Sequence, residues 1–407
     1  MSTASHESAS SLPAGAAEPA SPGRSRSAPS GGSVVREATS VGAHIIRQDI
    51  QSMHAYAIQD SVGMVKLDAM ENPHSLPAEL QAALGKRLGA LALNRYPNGR
   101  VNDLRHALAD YAQMPAGFDI MLGNGSDELI SLLAMACDVP RSQSGVDRPP
   151  VILAPEPGFV MYAMSARLQG LDFVGVPLTP DFELDEQSML AAIEQHQPAI
   201  VYIAYPNNPT ANLWRDGAIA NIIALQGSQG GLVVMDEAYQ PFAARSWIDP
   251  MRAAPEKHQH VLLMRTMSKF GLAGVRIGYM MGAQALIAEI DKLRPPYNIS
   301  VLNYECALFA LEHADVFKQQ AIVLIGQRAI IMEALRKMPG VKCWHSDANM
   351  VLARVPDAAR AFDGLKARGV LVKNVSKMHP LLANCLRLTV GTADENRQML
   401  AALQQSL

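Results

Sequence analysis

Between residues 120 and 282 the chain alternates short apolar runs, each closed by turn residues, with longer stretches in which apolar positions recur at helical spacing. Val151-Ile152-Leu153-Ala154, Ile200-Val201-Tyr202-Ile203-Ala204, Leu232-Val233-Val234-Met235 and Val261-Leu262-Leu263-Met264 are apolar at every position instead of every second one. That pattern belongs to strands buried on both faces. Residues 187–195 and 216–226 carry the helical period between them. Alternating strands and helices predict an α/β fold, a mostly parallel sheet flanked by helices on both sides. After about residue 300 the texture changes. A long helical stretch, 303–335, is followed by apolar runs at 350–355, 370–372 and 386–390, which predicts a second, smaller α+β domain.

Residues 1–40 break the pattern: they are rich in Ser, Ala, Pro and Gly, have no hydrophobic periodicity and are expected to be disordered. They also lack the apolar core of a secretory signal. No apolar run reaches the roughly 18 residues that a membrane helix needs, so no membrane attachment is expected. With 49% hydrophobic and 18% charged residues the chain reads as an ordinary globular protein, and its net charge of −3, without a Lys/Arg-rich run, argues against a nucleic-acid partner. Cys137, Cys306, Cys343 and Cys385 stand far apart, with no CxxC pair and no His at ligand spacing. Reduced thiols, a cytoplasmic setting and no metal site are therefore expected. No GxxxxGK(S/T) loop is present for nucleotide hydrolysis.

The chemistry gathers where the apolar runs end. Ser268-Lys269 follows the 261–264 run and leads into Gly271-Leu272-Ala273-Gly274-Val275-Arg276. A lysine attacks carbonyl compounds only when unprotonated, which a desolvated or electropositive pocket favours, and Arg276 is a second cation close by in sequence. A solvated lysine at a strand exit is the alternative. Gly123-Asn124-Gly125-Ser126-Asp127-Glu128 opens a stretch of helical spacing with Ser126 or Asp127 near its N-cap, which frees backbone N–H groups for a phosphate or simply caps a helix. Pro157-Gly158-Phe159 offers a face to a flat ring or to the core. Tyr205-Pro206-Asn207-Asn208-Pro209-Thr210 fixes an asparagine amide between prolines. Asp236-Glu237-Ala238-Tyr239 sets a carboxylate and a phenol three residues apart, and a buried carboxylate there needs a partner, for which a heterocyclic N–H⁺ is suited. Each segment is common alone. Together, at the carboxyl ends of strands where such sheets collect ligands, they describe a pocket for a flat, phosphorylated aldehyde.

In their order and spacing, Asn208-Pro209-Thr210, Asp236-Glu237-Ala238-Tyr239 and Ser268-Lys269 with Arg276 resemble the fold-type I pyridoxal-phosphate-dependent aminotransferases. From about Val65 to the C-terminus the chain looks most like the histidinol-phosphate aminotransferase family. The resemblance implies a large cofactor-binding domain over 86–300 and a small domain over 301–407, which a segment over 41–85 joins behind the 1–40 tail. It implies pyridoxal 5′-phosphate as cofactor, with Lys269 forming the Schiff base and shuttling the proton, and Asp236 holding the pyridinium N–H⁺. Tyr239 and Asn208 would bond the ring's phenolic oxygen, Phe159 would stack on the ring, and Ser126, Asp127, Ser268 and Arg276 would hold the phosphate. Tyr96, in Asn94-Arg95-Tyr96-Pro97, resembles a tyrosine that reaches the neighbouring subunit's site, implying a homodimer with shared active sites.

For substrates the resemblance implies L-histidinol phosphate and 2-oxoglutarate, giving imidazole-acetol phosphate and L-glutamate in histidine biosynthesis. Arg387, in Leu386-Arg387-Leu388-Thr389-Val390-Gly391, matches the arginine that grips the substrate anion. Asn72, in Glu71-Asn72-Pro73, lies where relatives contact substrate, although a turn asparagine is the simpler description. Two departures stand out: Lys373 stands where many relatives have arginine, and Ala211 follows Thr210 where glycine is usual. An aromatic amino-acid aminotransferase or a phosphothreonine decarboxylase on the same scaffold remains open, as does, more remotely, a regulatory cofactor-binding module. His345 and His379 are left as ordinary histidines.

Overall fold

The computed structural model describes residues 45–53, 59–139 and 148–407. The tail expected to be disordered, 1–40, lies outside the described residues. The chain divides into two compact units, Met1–Ala57 and Ile58–Leu407. Among its described residues the first holds one short helix, Gln48–Gln51. Both of the domains expected from the resemblance fall in the second unit.

In chain order the strands are β1 (Val65–Lys66), β2 (Phe118–Gly123), β3 (Val151–Glu156), β4 (Asp172–Pro177), β5 (Ile200–Ala204), β6 (Leu232–Asp236), β7 (Val261–Thr266), β8 (Gly278–Ala283), β9 (Lys342–Cys343), β10 (Met350–Arg354), β11 (Val370–Leu371), β12 (Lys373–Asn374) and β13 (Cys385–Thr389). The main sheet has the order β2-β8-β7-β6-β5-β3-β4. Its β3, β4, β5, β6 and β7 pair in parallel, and β8 runs antiparallel to both of its neighbours. The mostly parallel α/β sheet read from the apolar runs is therefore present. The run expected at 261–264 continues to Thr266 because Arg265, a charge inside the strand, is fully paired there.

Alternation along each strand feeds two cores. Leu153, Val201, Val233 and Leu263 join helices 100–112, 186–196 and 216–228 on one face. Ile152, Tyr202, Val234 and Leu262 meet helices 126–136, 160–169 and 284–291 on the other. Each such side chain contributes about 1.5–3 kcal/mol when removed from water. Because β2, β3, β5, β6 and β7 all point one way, the residues following them share one edge of the sheet, and the reversed β8 starts there, with Gly123 opposite Gly278.

Toward the C-terminus a four-stranded antiparallel sheet, β12-β13-β10-β9, packs with helices 314–336, 358–367 and 393–404 around a core of its own that includes Leu67. Strand β1 pairs in parallel with β11. Two expectations change here. The helical stretch at 303–335 is two helices, Val301–Glu312 and Ala314–Arg336, because His313 leaves the helical conformation between them. The run at 370–372 likewise splits, Val370–Leu371 pairing with β1 and Lys373–Asn374 with β13.

Candidate active site

A cavity of about 140 Å³ opens at the shared strand edge, lined among others by Ser126, Asp127, Phe159, Asn208, Asp236, Tyr239, Ser268, Lys269 and Arg276. Nine residues singled out from the sequence thus meet around one space.

Lys269 comes off β7 in a single π-helical turn, Ser268–Leu272, whose Gly271 has φ 138°, a conformation few other residues adopt. Its Nζ donates to the Ala69 carbonyl at 3.1 Å and lies 5.8 Å from the centre of the Tyr239 ring. Burial, the charge of Arg387 and then that of Arg276 lower its pKa to about 8, so an appreciable share of the amine is neutral near physiological pH. Asp236 ends β6 and is 5% exposed. Its Oδ2 accepts from the Tyr162 hydroxyl at 2.6 Å and its Oδ1 from the Ala238 N–H at 3.1 Å. Burial raises its pKa to about 6 against those two hydrogen bonds, which favour the carboxylate. Tyr239, also buried, is held protonated by desolvation, a donor at neutral pH.

The helix Ser126–Ala136 points its start at the cavity. Its N-cap is Gly125, so Ser126 and Asp127 are the first residues inside the helix and not the cap. The strain-free φ of 83° at Gly125, and the closeness of Arg276 Nη2, 2.6 Å from where a Cβ would be, explain why glycine stands there. Gly278 answers a similar demand, for a Cβ on it would lie 2.6 Å from the Ser126 nitrogen. Arg276, itself left-handed at φ 54°, sits 3.6 Å from Asp127 Oδ2 and donates to Ser268 Oγ at 3.4 Å. These groups ring the orphan N–H groups of a helix start, an anion cradle.

Arg387 approaches from β13. It is buried, donates to Asn208 Oδ1 at 2.9 Å and to the Asp68 carbonyl at 2.7 Å, and so turns the Asn208 amide. Lys373 is its direct cross-strand partner in β12, on the same face of the sheet. Phe159 lines the cavity edge-on to Tyr162, 5.6 Å between ring centres. Tyr96 is placed elsewhere: it is 77% exposed and stacks on Tyr297 at 4.6 Å. Asn72 does not line the cavity; it donates to Gln320 at 2.8 Å and accepts from the His74 N–H, the turn role already named for it. His345 pairs with Asp347 at 3.2 Å and His379 caps the short helix Pro380–Leu382, so neither enters the site.

Sequence reading passed over Tyr162. Its ring is buried against Tyr202 at 4.2 Å, and a tyrosine at helical apolar spacing reads as core; only Asp236, far along the chain, reveals its hydroxyl's task. It also passed over the 68–70 segment, whose carbonyls receive Arg387 and Lys269 and whose Met70 has φ 52°. Those contacts join segments that no local pattern connects. Among the described residues no group of three His, Cys, Asp or Glu is placed to hold a metal, and no helix is long and apolar enough to cross a membrane.

Residues 62–403 match the family described as aminotransferase class I and II. The chain belongs to that family. The aminotransferase is 74% identical over 363 residues to histidinol-phosphate aminotransferase of Polaromonas naphthalenivorans, covering 89% of this chain and 96% of the relative. It is 67% identical over 363 residues to the enzyme of the same name from Acidovorax sp. (strain JS42), with the same coverage. Its fold matches the crystal structure of histidinol-phosphate aminotransferase from Sinorhizobium meliloti in complex with pyridoxal-5′-phosphate, with a TM-score of 0.71 and 24% identity, over 84% of this chain and 90% of that one. The aminotransferase's cavity suits such a group on its own geometry: an anion cradle at one end, a buried carboxylate able to face a ring N–H⁺, a flanking aromatic ring and an amine of lowered pKa.

Proposed function

We propose that this aminotransferase moves the amino group of L-histidinol phosphate to 2-oxoglutarate, using pyridoxal 5′-phosphate and yielding imidazole-acetol phosphate and L-glutamate. The observation that carries the cofactor reading is the pairing of Lys269, with its depressed pKa, and the buried Asp236 on one cavity. Bound pyridoxal phosphate supplies an electron sink for the electrons left when the substrate Cα–H is removed. In this reading Lys269 Nζ takes that proton and returns it, and Asp236 holds the ring nitrogen positively charged. Tyr239 Oη and the Asn208 amide donate to the ring oxygen, Phe159 excludes water from one face, and Ser126, Asp127, Ser268 and Arg276 grip the phosphate. Asp127 takes part through its backbone N–H and by steadying Arg276, since its carboxylate would repel the anion.

The substrate reading is supported by the two relatives of 74% and 67% identity and by the cations paired across β12 and β13. The two cations stand directly opposite each other in the register of β12 and β13. Arg387 and Lys373 together suit a phosphate dianion better than the single carboxylate of phenylalanine, and Arg387 alone then serves 2-oxoglutarate. We read Asn72 as supporting Gly271 beside the site and not as touching substrate. We further infer a cytoplasmic homodimer in which Tyr96 of a second copy completes each site.

Visible spectroscopy with steady-state assays tests this. The wild type should carry a cofactor absorbance band that bleaches on adding histidinol phosphate, and Lys269→Ala should lack that response. Lys373→Ala should raise KM for histidinol phosphate about tenfold, the effect of one charge-assisted contact, and leave KM for 2-oxoglutarate within about twofold. Turnover of phenylalanine instead of histidinol phosphate would move the enzyme to the aromatic aminotransferases, carbon dioxide release from phosphothreonine to the decarboxylases, and a colourless protein would end the cofactor reading.

A further inference from the structure

Immediately behind Asp236, on the opposite face of the sheet, lies a closed polar network that the site chemistry above does not use. Glu237, the next residue, has a side chain with no exposure, and that of Arg265 in β7 is 7% exposed. Arg265 donates Nε and Nη2 to Glu237 Oε2 at 3.0 and 2.9 Å. The Ser246 hydroxyl donates to the same carboxylate at 2.8 Å and accepts from Arg265 Nη2 at 2.9 Å, and the Trp247 N–H donates to Glu237 Oε1. Backbone bonds run alongside: Glu237 N–H to the Met264 carbonyl at 2.8 Å, and Tyr205 N–H to the Asp236 carbonyl at 2.7 Å.

Side chains alternate along a strand, so turning the backbone at 236–237 moves Asp236 and Glu237 together, one on each face. Asp236 is held in front by Tyr162 and Glu237 behind by Arg265. The second anchor of that rear clamp is also in the machinery, because Arg265 is followed within β7 by Thr266, whose Oγ1 contacts Ser268 Oγ at 3.1 Å, and then by Lys269. We propose that the Glu237–Arg265 pair is a positioning device that fixes the spacing between the ends of β6 and β7, and so between Asp236 and Lys269 across the cavity. The inference rests on the cofactor reading given under the proposed function. A planar guanidinium binding through two nitrogens fixes direction as well as distance, which an apolar pair of the same size does not.

The test separates positioning from stability. Glu237→Gln and Arg265→Met each strand one buried group and should lower the melting temperature. The double variant, Glu237→Gln with Arg265→Met, leaves no buried charge alone and should melt near the wild type, as replacing a whole buried pair tends to do. It should nevertheless bind pyridoxal phosphate more weakly in a spectroscopic titration and lose roughly 10- to 100-fold in kcat, with KM within about twofold, the penalty of misplaced reacting groups. A merely structural pair predicts that kcat and cofactor affinity return together with the melting temperature, and that result would overturn the proposal. Should the double variant not fold, Arg265→Lys keeps the charge without the fork: reduced kcat at wild-type melting temperature supports positioning, and unchanged kcat and cofactor affinity refute it. If the wild type fails to act on histidinol phosphate, the substrate reading falls, while the difference in cofactor affinity still decides this inference.

Discussion

At the scale of single residues, Lys269 and Tyr162 make contrasting predictions. Lys269 is an ammonium below about pH 8 and a neutral amine above it, because burial and the charges of Arg387 and Arg276 oppose protonation. Only the neutral amine attacks an aldehyde. Rapid mixing of cofactor-free protein with pyridoxal phosphate should therefore show a capture rate that climbs through about pH 8 and then levels; a midpoint near the ordinary lysine value of 10.5 would mean the cavity does not desolvate it. For Tyr162→Phe, the lost donor is one of two supporting the Asp236 carboxylate. A hydrogen bond to a charged group is worth about 1.5–3 kcal/mol, so kcat at neutral pH should fall about 10- to 100-fold and the melting temperature should fall with it. Lys269, Asp236, Tyr239 and Asn208 were legible because each is an odd residue at the end of an apolar run. Tyr162 was not, for its hydroxyl has meaning only beside a carboxylate 74 positions away.

At the scale of elements, the strands declared themselves because burial on both faces leaves no polar position, and the exceptions have local causes. Arg265 hid the last third of β7 since a charge in a central strand reads as its end, and only the partner Glu237 makes that charge tolerable. The pairing of Lys373 with Arg387 was illegible for another reason: register between β12 and β13 is a long-range property that neither segment specifies alone. The contact between β8 and the start of the helix Ser126–Ala136 is of that kind too, and it makes a prediction. A methyl group at Gly278 would stand 2.6 Å from the Ser126 nitrogen, and the atom it meets is backbone that cannot rotate aside. Overpacking of this type costs about 1–3 kcal/mol, and here it would displace the first turn of the helix whose N–H groups face the cavity. Gly278→Ala should thus weaken pyridoxal-phosphate binding about tenfold or more in an equilibrium titration. Unaltered affinity with a lowered melting temperature would show that the helix start does not hold the phosphate.

At the scale of the whole molecule, one copy of the chain leaves its cradle open. The Arg276 side chain retains 47% of its exposure although it faces the site, and Tyr96 and Tyr297 present a stacked aromatic pair to solvent at 77% and 57% exposure. Exposed aromatic surface of this sort marks an interaction site, and a twofold dimer would bury the same patch on both copies. If Tyr96 serves the neighbouring copy's cradle, Tyr96→Ala and Lys269→Ala damage different parts of the same site, contributed by different chains. Each variant alone should be nearly inactive. Unfolding and refolding an equimolar mixture should form hybrids in half of the dimers; each hybrid has one site with both residues intact and one with neither, so about a quarter of wild-type activity should return. Sedimentation would report the same dimer mass for the mixture and for each variant. If Tyr96 instead acts within its own chain, the hybrids contain no whole site, and mixing restores nothing while the sedimentation profile stays the same.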